Sequence, residues 1–354
     1  MVPEIEIRLI HNEEYEQANT FYNAVHGTNR TFEQFRWEFI EGPGGPAIYV
    51  VAVDKSTKRI VGTQCAIPIE WIDPDGNVIL TAKSEDTLIH PSYRGLKIFE
   101  KMYDLLFAEC KRNGIVAIWG FTYAIKPFAK VGFAIPYHQI QGLYVFSPIR
   151  AFNIISSLNA NNTFLTKLKI AGFTALSWLT GVFSKTANKS KVETTFNTIG
   201  SSLSVDVAKA VSGQYFLSEN QKYIEWRLLQ NPYENDYFEI CGLGENGDSQ
   251  VSIILNFKNK DVCYLEQIIF NTSENQLIES TLTKAIQFAK SKGVAMIRFW
   301  AFDYSEKQKT DLQFITNAGF KVARRGISFV WYDFSQKIDP NQIYLNRIYT
   351  QGNL

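Results

Sequence analysis

The stretch SEDTLIHPSYRGLKIFEKM, residues 84–102, decides the fold. It opens as a strand, turns through a proline and a basic-glycine pair, and runs into an amphipathic helix. In that helix Ile98, Phe99, Met102, Leu105, Leu106 and Cys110 share one face, while Glu100, Lys101, Asp104, Lys111 and Arg112 face away. The first amides of a helix have no internal partner, and the helix dipole adds positive potential there. A strand that feeds such an end through a tight glycine turn is a design for holding a phosphate. Arg94 adds a permanent cation, and Gly95 lets the backbone approach a ligand closely.

Working outward, EIEIRLI (4–10) alternates as a strand. NEEYEQANTFYNAVHG (12–27) has helical spacing and a C-terminal glycine, and TFEQFRWEFIEGPGG (31–45) is a short helix opened by Thr31. Residues 47–90 read as strands joined by the turn formers DKSTKR and DPDGN. After residue 114, IVAIWGF is a buried strand, KPFAKVGF (126–133) a short helix, and YHQIQGLYVF a further strand. The pattern then starts again. Trp37 precedes Pro43 by six in FRWEFIEGP, and Trp226 precedes Pro232 by six in IEWRLLQNP. KRNGIVAIWGF matches KSKGVAMIRFW, and AKVGFAIP matches TNAGFKVA, in the same order. Three matches in one order predict a duplication, with 5–148 equivalent to about 205–334. The expected organisation is 1–150, a linker at 151–200 carrying an apolar helix, 201–335, and a tail at 336–354.

The net charge of +1 offers no broad field for nucleic acid. Cys65, Cys110, Cys241 and Cys263 are widely spaced and the four histidines do not pair, so no metal site is expected. Cys65 and Cys263 sit in apolar strands and read as reduced core residues. The N-terminus reads as a strand and not as a signal peptide, which points to the cytoplasm. FLTKLKIAGFTALSWLTGVF (164–183) is apolar but interrupted by Lys167 and Lys169. It is read as a buried or interface-packing helix in preference to a membrane contact.

Residues 84–102 resemble the acyl-CoA-binding motif of the GNAT (Gcn5-related N-acetyltransferase) superfamily. The family pattern is Q/R-x-x-G-x-G/A, whose loop amides hold the CoA pyrophosphate. Here Arg94 takes the first position, Lys97 stands where the first glycine belongs, and Phe99 where the last glycine or alanine belongs. The order of the other elements, including FAKVGF before the last strands, also follows the family. The resemblance implies an α/β (α+β) fold of two GNAT-like domains, each a mixed, mostly antiparallel sheet flanked by helices. The second copy has CYLEQIIFNTSENQLIESTL (263–282) at the loop position, with no glycine or cation in the turn. Ser273 and Gln276 there form a candidate capping box that would satisfy the helix itself.

The resemblance further implies direct acyl transfer from acetyl-CoA, or another acyl-CoA, to an amine. Thr87, Leu88, Ile89, Arg94, Gly95, Leu96, Lys97, Ile98 and Phe99 become the candidate CoA contacts, and the Thr87–Ile89 amides the polarisers of the thioester carbonyl. Glu85 is the first candidate for general base and Asp86 the second, expected on opposite faces of their strand. The family's acid is a tyrosine at the place of Phe128, which has no proton to give. Tyr123 is the substitute, with Tyr137 and Tyr103 as further candidates. The expected acceptor is a primary amine on a small molecule, amino sugar or peptide. Branches with this loop form are similar to bacterial surface-glycan or natural-product acyltransferases. Lys97, Phe128 and the bare second copy suggest the alternative, a non-catalytic binding or scaffold protein. A third reading, a transferase acting near membranes, rests on 164–183 alone.

Overall fold

The computed structural model describes residues 3–158, 163–184, 193–233 and 235–350, with backbone alone at 324 and 325. The polar stretches expected to flank the apolar helix lie partly outside them, at 159–162 and 185–192, as does the end of the tail at 351–354. The first half runs β1 (Ile5–Leu9), α1 (Tyr15–His26), α2 (Phe32–Phe39), β2 (Ile48–Asp54), β3 (Arg59–Ile72), β4 (Val78–Ile89), α3 (Ile98–Arg112), β5 (Ala117–Thr122), α4 (Ile125–Lys130) and β6 (Ala134–Val145). A helical hairpin follows, α5 (Pro148–Ser157) and α6 (Phe164–Phe183). The second half runs β7 (Thr194–Thr198), α7 (Val207–Ala210), β8 (Phe216–Leu217), α8 (Gln221–Ile224), β9 (Tyr237–Leu243), β10 (Ser249–Phe257), β11 (Val262–Phe270), α9 (Asn275–Ser291), β12 (Met296–Ala301), α10 (Glu306–Asn317) and β13 (Lys321–Asp333).

Local chemistry sets the element ends. Gly27 closes α1 in the left-handed conformation, and Thr31 and Gln34 form a reciprocal capping box on α2. At α9 the expected box does not form. Its N-cap is Glu274, without a side-chain cap, and the Glu274 amide instead donates to Thr272 Oγ1.

Among the described residues the strands make one sheet in the order β1-β2-β3-β4-β5-β13-β6-β12-β11-β10-β9-β7, with β8 on β3. The two halves repeat one scheme: an antiparallel meander, a helix, a parallel strand, a helix and a last strand. The last strands are exchanged. β13 lies against β5 of the first half, and β6 lies against β12 of the second. At Gly142 of β6 an added Cβ would meet the Phe299 ring and the Lys321 carbonyl, so the exchange needs a residue without a side chain there.

Trp37 and Trp226 meet across the same junction. Their rings stack at 4.9 Å, and each indole N–H donates to the other's backbone carbonyl at 2.8 Å. Both are buried in one core cluster that also takes in Trp71, Trp119 and Trp331. Aromatic burial at this scale, with the Trp37 and Trp226 N–H groups satisfied by each other's carbonyls, welds the halves together. All four cysteines are buried and free.

The apolar helix α6 is not buried as its composition predicts. Its packed stripe is Ile170, Thr174, Ser177 and Gly181, and the leucines face outward. No helix among the described residues is long and apolar enough to cross a membrane.

Candidate active site

The site begins where two parallel strands separate. β4 and β5 pair only at Thr81–Ala117, Ala82–Ile118 and Lys83–Trp119. Beyond that point they enclose a cavity of about 670 Å³, lined by Glu85, Asp86, Arg94, Phe99, Phe121 and Tyr123 among others. His90 N–H donates to Val61 O on β3, which turns the amides of His90 and Leu88 toward β3. By the same alternation the amides of Ile89 and Thr87 face the cleft.

Asp86 has φ +53°, at a break in the β3–β4 register. The bulge cancels the alternation that would have put Glu85 and Asp86 on opposite faces, so both line the cavity. Their partners differ. Asp86 is buried and accepts from Arg30 NH1 and NH2 at 3.3 Å and from the Tyr49 hydroxyl. Glu85 is partly exposed and pairs with Lys83 Nζ at 2.6 Å. Burial lowers the pKa of Lys83 even though Glu85 opposes it. Glu38 of α2 completes the group, 3.8 Å from Arg30 NH1. Burial, reinforced by the Glu85 charge, pushes its carboxyl up to about 8. Burial works against the charge of Arg30, but Asp86 and Glu38 outweigh it and raise its pKa.

The loop that follows is anchored by Tyr93, whose hydroxyl donates to Asp54 at 2.6 Å. Gly95 has φ +86° with open space around it, and Lys97 is the N-cap of α3 at φ +56°, ψ 28°. Lys97 therefore keeps the left-handed backbone of the glycine that the motif calls for. Its side chain is exposed and caps nothing. Ile98 is buried under α3 against β3, and Leu96 is half-buried.

Phe128 packs in an aromatic cluster with Phe99, Tyr103 and Phe133. Tyr103 is buried, with its hydroxyl 2.9 Å from Ser84 Oγ. Tyr137 stacks on Tyr304 and donates to the Pro340 carbonyl. Neither lines the cavity, whereas Tyr123 does and is 68% exposed. Glu38, Lys83, Arg30, Tyr22, Tyr233, Ile327 and Thr350 are cavity residues that the sequence reading missed. For Glu38 a signal existed: it falls three residues after Phe35, on the buried face of α2.

The model of the acetyltransferase (GNAT) domain family matches residues 6–135, which hold β1 through β5 and the whole loop. Residues 6–135 carry a GNAT domain. No curated protein is similar to this chain in sequence. Solved structures are similar in fold. A conserved protein of Enterococcus faecalis V583, described as a probable N-acyltransferase, has a TM-score of 0.61 at 11% identity, covering 93% of this chain and 72% of its own. Saccharomyces cerevisiae N-myristoyltransferase with bound myristoyl-CoA has a TM-score of 0.56 at 11% identity over 94% of this chain and 83% of its own. A tandem GNAT protein from the clavulanic acid biosynthesis pathway has 0.56 at 10% identity over 93% and 98%. At such identities the likeness concerns the fold, and it spans both halves of the chain.

Proposed function

We propose that the protein transfers an acyl group from an acyl-CoA thioester to a primary amine by direct attack, and that the 1–150 unit carries the chemistry. The cleft carries this reading: parted strands, an open glycine loop, the first amides of a long helix and an acidic group in one cavity. In the proposal the amides of Ile98 and Phe99, with Arg94 and Lys97, hold the pyrophosphate. The amides of Thr87 and Ile89 face the thioester carbonyl and stabilise the negative charge that grows on its oxygen.

Glu85 is the proposed base. It takes the proton from the acceptor ammonium, the amine nitrogen bonds to the acyl carbon, and the carbon–sulfur bond breaks. Tyr123 or water returns a proton to the thiolate. Glu38, neutral below about pH 8, adds no second negative charge beside Glu85 there. Asp86, tied to Arg30 and Tyr49, holds the bulge and positions the amides. The second half reaches the cleft through Tyr233, Ile327 and Thr350, and shapes the acceptor side. Acetyl-CoA is the proposed donor, and a small molecule, amino sugar or peptide the acceptor.

The test is titration with acetyl-CoA, followed by assay of thiol release with a panel of amines. Acetyl-CoA should raise the melting temperature, because a ligand that binds only the folded state stabilises it, and acetyl-pantetheine should do so far less. A flat calorimetric titration and an unmoved melting temperature at millimolar acetyl-CoA would sink the proposal.

A further inference from the structure

Helix α6 is inverted. A helix on a water-soluble protein turns its apolar stripe to the core and its polar side to water. Here the core-facing stripe is small and partly polar: Ile170, Thr174, Ser177 and Gly181, with Ser177 and Thr174 bonded back to their own helix. Gly181 lies so close to Tyr144 that a Cβ would enter its ring, so the packing is tight on that side. The outward stripe is Leu165, Leu168, Leu176, Leu179, Val182 and Phe183, with exposures from 41% to 77%. Scattered exposed apolar residues need no explanation, but a continuous stripe along a helix of 20 residues does.

The charge around it is one-sided. No Asp or Glu occurs between Glu109 and Glu193. On a wheel of 3.6 residues per turn, Lys167 and Lys169 fall on opposite borders of the apolar stripe, and both are exposed. Arg150 of α5 is engaged with Asp261, so these two lysines are the helix's own outward cations. The chain on either side, SSLNANNT and SKTANKSK, is mostly polar, with Leu158 its one large apolar residue. An apolar stripe bordered by lysines, on a helix unable to span a bilayer, has the chemistry of a helix lying in an anionic lipid interface.

We propose that α6 docks the protein on anionic membrane surfaces, its leucine stripe in the acyl boundary and Lys167 and Lys169 among the headgroups. The full chain, floated with vesicles of phosphatidylglycerol and phosphatidylcholine, should rise with them. It should bind pure phosphatidylcholine more weakly, and high salt should narrow that difference. Leu168→Ser/Leu176→Ser/Leu179→Ser should weaken binding by at least about tenfold while far-UV dichroism and melting change little, since these side chains stand outside the buried core, 41% to 60% exposed. Lys167→Glu/Lys169→Glu should remove the preference for anionic vesicles. Failure to bind either vesicle overturns the proposal, as does binding that the serine variant leaves intact. A concentration-dependent dimer that ignores vesicles and that the serine variant dissolves would assign the stripe to a second copy, and also overturns it.

Discussion

The two halves share a scheme of strands and helices, yet one cleft is open and the other is filled. In the first half, β4 and β5 part after Lys83 and leave about 670 Å³. In the second, β11 and β12 stop pairing at Leu265 and Phe299, and only about 30 Å³ remains beside them. The difference lies in what occupies the gap. Residues 343–350 pack against the ends of β11 and β12, with Ile343, Tyr344, Arg347, Ile348 and Tyr349 buried. Arg347 NH1 pairs with both carboxylate oxygens of Glu266, at 2.7 and 2.9 Å, and its guanidinium lies over the Tyr264 and Trp300 rings. The lesson is that a parted parallel strand pair is a ligand site only while its own chain stays out of it. The same segment ends at Thr350 on the wall of the open cleft, so one strap fills one site and borders the other.

Breaking the plug should have the largest effect. Arg347→Ala leaves the Glu266 carboxylate buried without its cation, and should cost about 3–5 kcal/mol in urea unfolding. Replacing both residues with methionine should cost far less, because the uncompensated charge disappears with its partner. Equal costs for the two variants would mean that the ion pair does not hold the strap. On the open side, Glu85→Gln should lower the turnover rate by roughly a hundredfold with little change in KM, the usual scale for losing a general base. Asp86→Asn should instead lower stability, because Arg30 then loses its main counter-charge.

A third difference concerns pH. Glu38 titrates at about 8 in the folded chain against an ordinary 4.5. The folded state therefore binds the extra proton more tightly between those values. This contribution is complete below about pH 4.5 and is lost as pH rises through 8. Glu38→Gln should flatten the stability profile over that window, on the order of 1–3 kcal/mol, in unfolding measured at several pH values. An unchanged slope would mean that Glu38 is not the group that distinguishes the open cleft.

The smallest effect is at Lys97. Its left-handed backbone costs a side-chain-bearing residue about 1 kcal/mol, so Lys97→Gly should be more stable than Lys97→Ala by about that amount. Both variants remove the same charge. Both should weaken acetyl-CoA binding to a similar degree, by about 1–3 kcal/mol and less at high salt. Tighter binding by the glycine variant would show that the lysine obstructs the loop.

Much of this was legible in the sequence, for local reasons. Helix ends at Thr31 and Gly27, the anion loop around Gly95 and the repeat marked by Trp37 and Trp226 depend on neighbours a few residues apart. Glycine's freedom, cap chemistry and hydrophobic period are properties of short windows. Other features depend on groups far apart in the chain. The exchange of β6 and β13, the bulge that brings Asp86 beside Glu85, and the approach of Glu38 to both are settled by long-range pairing. The apolar composition of α6 was plain, but which side would face outward was not, since a period fixes which residues share a face and not what that face meets. The filling of the second cleft was equally hidden. Residues 336–354 read as a tail because no local pattern marks Arg347, and only the fold brings Glu266 to it across 81 positions. Local chemistry determined the pieces of this protein. The free energy of burying charge and aromatic surface, which exists only once distant strands meet, decided which of its two clefts stayed open.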